Sequence, residues 1–406
     1  MIFMGPLFWL SVLFILYVYM GYPLLLALLA RFSKKQPEYA PYTPKITLLI
    51  AAYNEEKAIS SKLENALSLD YPAENLQILV AADGSDDRTV EIVKTFAARS
   101  VEISYQPKRQ GKMAAINSAI ALARHEIIIF SDANNLYNEN TLRELVKPFS
   151  DSQVGAVSGS KNILDSQDAL SKADSLYWRY ESYIKEQETR LSSCTGVSGE
   201  ILAVRRNLYQ PPPAQVINDD FFIALNIFRQ GYKLVYMPKA RSFEYSSLTV
   251  KDEDTRRSRI VAGRYQAMFM STAFLPWRNP LLIWQIVSHK FMRPFVPMAM
   301  ILTFFTNLLL LFWSPTLAWN NIISLAWPYN LFFFSIQLFF YLFAWAGNTF
   351  NGNGRVIKLL YLPTFLVNSN LSALRGLFSF FTGKQTSLWQ RARRREETII
   401  GDEKRS

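Results

Sequence analysis

Acidic side chains recur through the polar middle of this 406-residue chain, and two of them stand directly after apolar runs. Asp83 follows the run 76–82, and Asp132 follows the run 127–131. Runs of this length are typical of buried parallel strands, and open α/β sheets bind ligands in the crevice outside the carboxyl ends of such strands. Because Mg²⁺ usually takes one or two protein carboxylates plus phosphates, this crevice suits a metal ion and a diphosphate.

Two further polar segments fit the same chemistry. Tyr53-Asn54-Glu55 follows the first apolar run, and Gly111-Lys112 precedes a predicted helix. The free N–H groups of that helix, together with the lysine, could hold a phosphate. Each segment alone could equally be a turn or a helix start with acidic residues in its first turn. The order of the segments and their shared position at strand ends favour a single site.

Regular elements separate these residues. Apolar runs of strand length alternate with segments of helix length, which favours a parallel sheet with helices on both faces. We therefore expect an α/β domain over residues 45–275. The predicted strands are 46–52, 76–82, 101–105, 126–131 and 154–158, and the predicted helices are 57–69, 89–99, 112–124, 140–149 and 169–190.

Long apolar stretches flank this domain on both sides. Residues 1–31 are predicted to form a transmembrane helix, because the apolar run is too long for the core of a signal peptide. The second flank, 280–382, is predicted to hold interfacial and transmembrane helices. Its parts are an interfacial helix at 281–293, with Gln285, Ser288, His289 and Arg293 on one side, and spans at 294–313 and 321–346.

The last apolar stretch, 359–381, allows either a fourth span or a helix along the membrane surface. Arg375 lies well inside it, and a central arginine facing lipid costs at least ~2.5 kcal/mol. Three spans leave the basic tail, 383–406, on the cytoplasmic side with the α/β domain, as the positive-inside rule requires. We therefore expect three spans and an in-plane terminal helix, whose polar stripe is Asn368, Ser372, Arg375 and Ser379.

Composition narrows the class of protein. The formal charge of +11 gathers near the membrane boundaries and suits contact with anionic lipids. No nucleic-acid partner is expected, because no basic stripe is interleaved with stacking aromatic residues. The single cysteine, Cys194, excludes an intramolecular disulfide, and two histidines make a histidine zinc site unexpected. A transporter is disfavoured by the absence of acidic residues from 280–382, and a nicotinamide-dependent enzyme by the lack of a Gly-rich turn after the first strand.

The ordered segments resemble the inverting, membrane-bound glycosyltransferase family 2, whose members include the cellulose, hyaluronan and poly-N-acetylglucosamine synthases. The resemblance covers roughly residues 45–275 and the flanking membrane segments. It implies a GT-A (Rossmann-like) cytoplasmic domain at a bacterial cytoplasmic (inner) membrane. It also implies a nucleotide-sugar donor, expected to be a UDP-sugar, and Mg²⁺ or Mn²⁺ as cofactor.

On the donor side, the resemblance assigns roles residue by residue. Asp83 falls where the family reads the base, and Lys112 falls in the segment on the phosphate side. Asp132-Ala133-Asn134 occupies the Asp-x-Asp position that holds the metal ion, with an amide in place of the second carboxylate. The nucleoside contacts fall on Tyr53, Asn54 and Glu55.

On the acceptor side, Asp219 and Asp220 lie where the family carries Thr-Glu-Asp, and Asp220 matches the general base. The alternative for both is a helix cap. Ile260 replaces the tryptophan on which acceptor sugars stack in polymerising members, a departure that bears on processive synthesis. The remaining matches are Gly199 and Glu200 in the acceptor segment, and Arg256 and Arg259, which share a helix face and could clamp a diphosphate.

The function expected from these matches is inverting sugar transfer from a nucleotide-diphosphate sugar to a growing glycan, in exopolysaccharide synthesis. The alternative is a single sugar transfer to a polyprenyl-phosphate or lipid acceptor. Both reactions need a base for an attacking hydroxyl, and a positioned carboxylate supplies typically ~10²–10⁴-fold.

Overall fold

A computed structural model describes residues 3–33, 39–164, 169–213, 215–245, 249–313, 322–350 and 355–383. Of the predicted basic tail, all but its first residue lies outside this part of the chain. The α-helices within it are α1 Met4–Leu16, α2 Tyr22–Phe32, α3 Ile59–Leu67, α4 Thr89–Thr95, α5 Lys112–Ile120, α6 Thr141–Val146, α7 Ala169–Leu191, α8 Asp219–Arg229, α9 Val250–Phe274, α10 Pro280–Ile286, α11 Val296–Phe312, α12 Tyr329–Thr349 and α13 Arg355–Phe381.

The centre of the soluble domain is an eight-stranded sheet. Its strand order is β3-β2-β1-β4-β7-β6-β8-β5. The strands are β1 Ile46–Ala52, β2 Leu76–Asp83, β3 Val101–Gln106, β4 Ile127–Asp132, β5 Leu136–Tyr137, β6 Val154–Leu164, β7 Leu202–Arg205 and β8 Lys233–Tyr245.

The sheet is mixed, so the prediction of a parallel sheet holds for only part of it. β3, β2, β1 and β4 are parallel, as expected. β7 runs antiparallel to both β4 and β6, and β5 runs antiparallel to β8. A strand as short as β7 leaves too brief an apolar run to reveal its pairing from sequence alone.

Strand register brings the predicted acidic residues to one edge. Ala51 of β1 pairs with Asp132 of β4 on one side and with Ala81 of β2 on the other. Asp83, the last residue of β2, therefore lies across the end of β1 from Asp132. The apolar residues alternate along β1: Leu48 and Ile50 belong to the core on one face of the sheet, and Leu49 to the core on the other.

Within the described residues, three helical segments are long and apolar enough to cross a membrane: Met4–Phe32, Pro280–Phe312 and Tyr329–Thr349. Their number matches the prediction of three spans, whereas their orientation stays a prediction. The expected interfacial helix and second span form one continuous segment, which contains a π-helical turn at Val287–Phe291. The helix α13 is not among these candidates.

Both polar stripes of the membrane flank contact protein. Gln285, Ser288, His289 and Arg293 are buried, although an interfacial helix would turn such residues toward water. On α13, Asn368 exchanges hydrogen bonds with Asn348 of α12, and Ser372 and Arg375 bind Asp254 of α9, each at 2.5 Å. The polar residues of both segments therefore hold helices together.

Candidate functional site

A cleft that is partly open to solvent lies at the carboxyl ends of β1, β2 and β4. This is the edge that the strand-end acidic residues predicted. Its polar lining combines carboxylates, cations and one aromatic ring. These residues are Tyr53, Glu55, Asp83, Arg109, Lys112 and Asp132.

Asp83 fixes the loop that leads into α5. Its two carboxylate oxygens accept the backbone N–H groups of Gln110 at 2.8 Å and Gly111 at 2.9 Å. Gly84 has a φ of +63°, and a Cβ there would meet the backbone of Arg109, so only glycine lets the two loops cross. The carboxylate thus places the N-terminus of α5. That Asp83 contacts the nucleobase of the donor stays a prediction.

Of the three residues matched to nucleoside contacts, Tyr53 and Glu55 line the cleft, whereas Asn54 holds two loops together. The guanidinium of Arg109 lies 4.0 Å from the ring centre of Tyr53, at the mouth of the cleft. Asn54, with a φ of +53°, exchanges hydrogen bonds with Asp86 and so ties two loops together. Glu55 is buried and lines the cleft. Arg109 was missed, although the basic loop before Gly111 was a signal for it.

Lys112, the first residue of α5, reaches across the cleft to Asp132. Its Nζ lies 2.6 Å from the Asp132 carboxylate. Burial lowers the pKa of Lys112, but the carboxylates of Asp132, Asp219 and Asp220 outweigh it and raise the pKa overall. Burial raises the pKa of Asp132, but Lys112, Lys161 and Lys62 outweigh it and lower the pKa. Both groups are therefore charged at neutral pH.

The residues of the Asp-x-Asp position fit a hard divalent cation. Asn134 Oδ1 is buried and has no hydrogen-bond partner in the described part of the chain. Two residues earlier stands the Asp132 carboxylate, and carboxylate and amide oxygens are the ligands that Mg²⁺ accepts. The described residues contain no group of three His, Cys, Asp or Glu that could hold a metal. The other ligands of a bound ion would therefore be water or the phosphate oxygens of a substrate.

A buried lysine supports this turn from below. Lys62 of α3 donates to the backbone oxygen and to Oδ1 of Asn135, both at 2.9 Å. Asn135 in turn donates to the backbone oxygen of Glu200 and to the Ser242 hydroxyl. Burial lowers the pKa of Lys62 to about 7, against the opposing charges of Asp132 and Glu200. Sequence reasoning missed Lys62, although its place on the apolar side of α3, between Ile59 and Leu63, was a signal.

Asp219 and Asp220 form the first turn of α8, and Asn218, not either of them, stands at the cap position. Burial and the neighbouring charge of Asp219 raise the pKa of Asp220 to about 6. Gly199 lies against this carboxylate: a Cβ there would stand 3.2 Å from Asp220 Cβ. The absence of a side chain at Gly199 thus gives Asp220 its place.

The guanidinium of Arg259, on α9, interacts with the carboxylates of Asp132, Asp219 and Asp220. Burial lowers the pKa of its guanidinium, and Asp219, Asp220 and Asp132 oppose that shift. Its Nη2 donates to the backbone oxygen of Ile217 at 3.3 Å, and its buried Nε has no hydrogen-bond partner within the described ranges. The guanidinium thus has donor capacity left beside the cleft.

The other matched residues, Arg256, Glu200 and Ile260, make contacts of a different kind. Arg256 forms a two-bond fork with Glu253, at 3.0 and 2.8 Å. Glu200 is buried in an ion pair with Lys161 at 2.6 Å, and burial raises its pKa. The backbone oxygen of Ile260 accepts from Asn218 at 2.8 Å, which fixes the start of α8 against α9.

Comparison with solved structures identifies the fold. The mannosyltransferase PcManGT from Pyrobaculum calidifontis, solved with GDP-Man and Mn²⁺, superposes with a TM-score of 0.64 at 21% identity, over 91% of this chain and 99% of that chain. The mixed sheet and this superposition show that the domain has a GT-A-like fold.

Sequence comparison identifies a domain family. Residues 47–210 match the model of Glycosyl transferase family 2. Poly-beta-1,6-N-acetyl-D-glucosamine synthase of Staphylococcus aureus (strain COL) is 25% identical over 237 residues, 56% of this chain and 57% of that protein. The probable glycosyltransferase YdaM of Bacillus subtilis (strain 168) is 24% identical over 262 residues, 61% of this chain and 62% of that protein. The chain thus spans about three-fifths of the length of these curated relatives.

Proposed function

We propose that the protein transfers a sugar from a nucleotide-diphosphate sugar to a growing glycan at the cytoplasmic face of a bacterial inner membrane, with inversion at the anomeric carbon. The observation that carries the proposal is the interaction of three charged groups at and beside one cleft. Asp132 with Lys112 lies at the strand ends, Arg259 lies beside them, and Asp220 has its pKa raised to about 6 on the acceptor side.

The donor half of the site would hold a diphosphate. Asp132 and Asn134 would ligate Mg²⁺ or Mn²⁺, which when bound neutralises charge that develops on the leaving diphosphate. Lys112 and the N–H groups at the start of α5 face the same place, as anion sites at helix N-termini do. Arg259 would add a second cation through its unpaired Nε. The ring of Tyr53 with Arg109 would receive the nucleoside at the mouth of the cleft.

The acceptor half needs a base. Asp220 would take the proton of an acceptor hydroxyl as that oxygen forms its bond to the anomeric carbon. The bond between this carbon and the diphosphate oxygen breaks, and its electron pair leaves with the nucleoside diphosphate. A base with a pKa near 6 is ionised at neutral pH and still basic enough to accept a proton. Attack from the face opposite the diphosphate inverts the centre.

The substrates are inferred from the class of relatives. The named product of the S. aureus relative is a polysaccharide, which supports a glycan acceptor, and a UDP-sugar is the donor that the family resemblance implies. The P. calidifontis structure contains GDP-Man, but that protein is similar to this chain only in its fold. Its donor therefore does not indicate whether this protein uses a UDP-sugar or a GDP-sugar. Single transfer to a polyprenyl phosphate or another lipid remains the second candidate, and Ile260 at the tryptophan position favours it.

The test is transfer by membranes that contain the full chain, supplied with a panel of radiolabelled nucleotide sugars and Mn²⁺. We expect one sugar to enter a product of larger size, chelation to abolish transfer, and Asp132→Ala to do the same. Asp70→Ala is the matched control, because Asp70 pairs with Arg143 and precedes β2, at the opposite end of the strands. Undiminished transfer in chelator would refute the metal-dependent mechanism, and no transfer from any donor would refute the proposed function.

A binding measurement separates metal ligation from catalysis. Calorimetric titration with Mn²⁺ in the presence of a nucleoside diphosphate should show weaker binding for both Asp132→Ala and Asn134→Ala. Equal affinity in Asn134→Ala would show that its buried oxygen is not a ligand.

A further inference from the structure

A buried asparagine connects the turn Asp132-Ala133-Asn134, named here the metal turn, to the segment Ser198-Gly199-Glu200, named here the acceptor loop. Asn135 directly follows the metal turn and is fully buried. Its Nδ2 donates to the backbone oxygen of Glu200 at 3.0 Å and to the Ser242 hydroxyl at 2.7 Å. The side chain therefore lies between the donor half and the acceptor half of the site.

The orientation of this amide is fixed by the groups on its other side. Lys62 Nζ and the Ser131 hydroxyl both donate to Asn135 Oδ1, at 2.9 and 3.1 Å. Because an ammonium group has only hydrogens to offer, the amide oxygen must be the atom that faces it. The NH₂ group must therefore face Glu200, and a rotation of the amide by half a turn would leave both of its ends unsatisfied.

Glu200 is held at both its backbone and its side chain. Its backbone oxygen also accepts the Tyr137 hydroxyl at 2.7 Å. Its carboxylate accepts the Ser242 hydroxyl at 3.2 Å and pairs with Lys161 at 2.6 Å. Lys161 also pairs with Glu244, so this lysine is shared between two buried carboxylates. Both oxygens of the Glu200 carboxylate thus bind protein groups, which favours a supporting role over direct contact with an acceptor.

Gly199 connects the acceptor loop to the candidate base. A Cβ on Gly199 would stand 3.2 Å from Asp220 Cβ, so the loop and the first turn of α8 are in contact there. The backbone oxygen of Ser198 accepts the N–H of Ile201 at 3.0 Å, which closes the loop into a tight 3₁₀ turn. Because the turn is closed in this way, a shift of Glu200 would move Gly199 against Asp220.

These contacts form a short path through the protein from the candidate metal ligand to the candidate base. The path runs from Asn134 to its neighbour Asn135 and across one hydrogen bond to Glu200. It continues through Gly199 to the side chain of Asp220. In an inverting displacement the attacking oxygen, the anomeric carbon and the leaving oxygen must be aligned, and a misplacement of about 1 Å can cost about 10²-fold in rate. A link of this kind holds the base and the leaving group at the separation that the reaction requires.

The two sides of the Asn135 amide can be separated by mutation. Aspartate at this position keeps an oxygen for Lys62 and Ser131 but replaces the NH₂ donor with a second oxygen. An ionised carboxylate can only accept hydrogen bonds, so it cannot bind the backbone oxygen of Glu200. Lys62 keeps the new carboxylate ionised, since a neighbouring opposite charge favours the charged form. Asn135→Asp therefore disturbs the acceptor loop and retains the contacts beneath the metal turn.

We propose that Asn135 is a positioning residue for sugar transfer, which holds the acceptor loop, and through it Asp220, at a fixed distance from the metal turn. Glu200 supports this link and does not contact the acceptor. The proposal rests on the proposed function, since it concerns the alignment of that reaction. Neither Asn135 nor Glu200 takes part in bond making.

The test is how the full chain, in membranes, divides its radiolabelled nucleotide sugar between transfer and hydrolysis. In hydrolysis, water attacks the anomeric carbon and yields free sugar and nucleoside diphosphate. The ratio of the two products does not depend on how much of the protein is folded. We expect Asn135→Asp to lower the ratio of transfer to hydrolysis at least about tenfold, because the acceptor oxygen and its base lose their alignment. Ser242→Ala removes one contact on the acceptor side and should lower the ratio less.

A binding measurement and a matched control accompany this test. In calorimetry with a nucleoside diphosphate present, Asn135→Asp should bind Mn²⁺ no more weakly than the native protein does, because the contacts with Lys62 and Ser131 remain. Asn65→Asp is the control, since the Asn65 amide binds the backbone N–H and oxygen of Tyr137 in a similar pair of contacts. This variant should leave the ratio of transfer to hydrolysis unchanged.

Each other outcome overturns the positioning role. An unchanged ratio in Asn135→Asp would mean that the amide supports the fold only, even if both reactions become slower. Weaker Mn²⁺ binding in proportion to the loss of transfer would mean that Asn135 serves the metal turn alone. An equal fall in Asn65→Asp would mean that any disturbance of this edge of the sheet has the same effect. A native protein that transfers no sugar would refute the proposed function, and the positioning role with it.

Discussion

Replacing Asp220 by asparagine is the most direct test of the acceptor side. The change keeps the shape of the side chain and its acceptance of the Phe221 N–H, at 2.7 Å in the native protein, but removes the basic oxygen. If the proton of the acceptor hydroxyl goes to this carboxylate, transfer should fall by at least ~10²-fold. Donor affinity should persist, because the diphosphate contacts are assigned to Lys112, Asp132 and Arg259.

The pH dependence of kcat/KM tests the role of Asp220 in the native protein, without a mutation. With a pKa of about 6, Asp220 is about nine-tenths ionised at pH 7 and about one-tenth at pH 5, so kcat/KM should fall about tenfold across that interval. A carboxylate at the ordinary value of 3.8 would lose less than about a tenth of its ionised form over the same range. Initial rates at saturating donor and limiting acceptor measure this acid limb.

Asp219→Asn is the matched control. Because the Asp219 charge contributes to the raised pKa of Asp220, its removal should move the acid limb to lower pH. Activity at pH 7.5 should stay within about tenfold of the native protein, since the catalytic carboxylate is retained. If Asp219→Asn is inactive and Asp220→Asn is active, the assignment of the base is wrong by one residue.

A measurement of stability shows whether Asp220→Asn has lost only its catalytic base or also its folded structure. A carboxyl whose pKa is raised on folding binds its proton more tightly in the native state, so its contribution to stability is greatest below pH 3.8 and is lost as pH rises through 6. At pH 8 the native carboxylate is therefore unfavourable, and asparagine removes that cost. We expect Asp220→Asn to unfold at the same or a higher temperature than the native protein. A clear fall in Tm would mean that the loss of activity reports damage.

Three smaller changes test the groups around the base. Arg259→Lys should raise the KM for donor and lower kcat by about tenfold, because a single ammonium cannot replace the guanidinium fork, whereas Arg256→Lys should have a smaller effect. Gly199→Ala should lower kcat about tenfold with little change in donor KM, because its Cβ would press on Asp220 from 3.2 Å and displace the carboxylate by a few tenths of an ångström. Lys62→Met should weaken Mn²⁺ binding in calorimetry, since the turn that carries the metal ligands loses two hydrogen bonds at 2.9 Å.

The elements that the sequence predicts best are the strands whose residues are buried without interruption. β1, β2 and β4 lie within one residue of their predicted bounds, because strands covered on both faces are continuous apolar runs. β8 was missed, since Pro238 and Lys239 interrupt its pattern where the register to β6 shifts. Non-local pairing decides such a strand, and no local pattern records it.

The site was predicted to the extent that its residues stand at strand ends or in short motifs. Asp132 lines the cleft, and the charges of Asp132 and Asp220 act on the Arg259 guanidinium, as the ordering of the motifs indicated. Arg256 shares their motif but pairs with Glu253, which lies three positions before it on the same helix and also binds Arg257. Lys62 lies outside any motif, and only the apolar neighbours on its side of α3 mark it.

The polar stripes of the membrane flank show a limit of a different kind. A stripe such as Ser288, His289 and Arg293 has the spacing of a helix at a membrane surface, and hydropathy treats its polar side as a side turned to water. Its partners, Glu181 and Glu188, stand about a hundred positions earlier, on a helix whose own sequence indicates an ordinary polar surface. Two surfaces that each look solvated alone can bury one another when their charges match. Hydropathy therefore reads such a stripe wrongly, because it scores each segment without the distant segment that pairs with it.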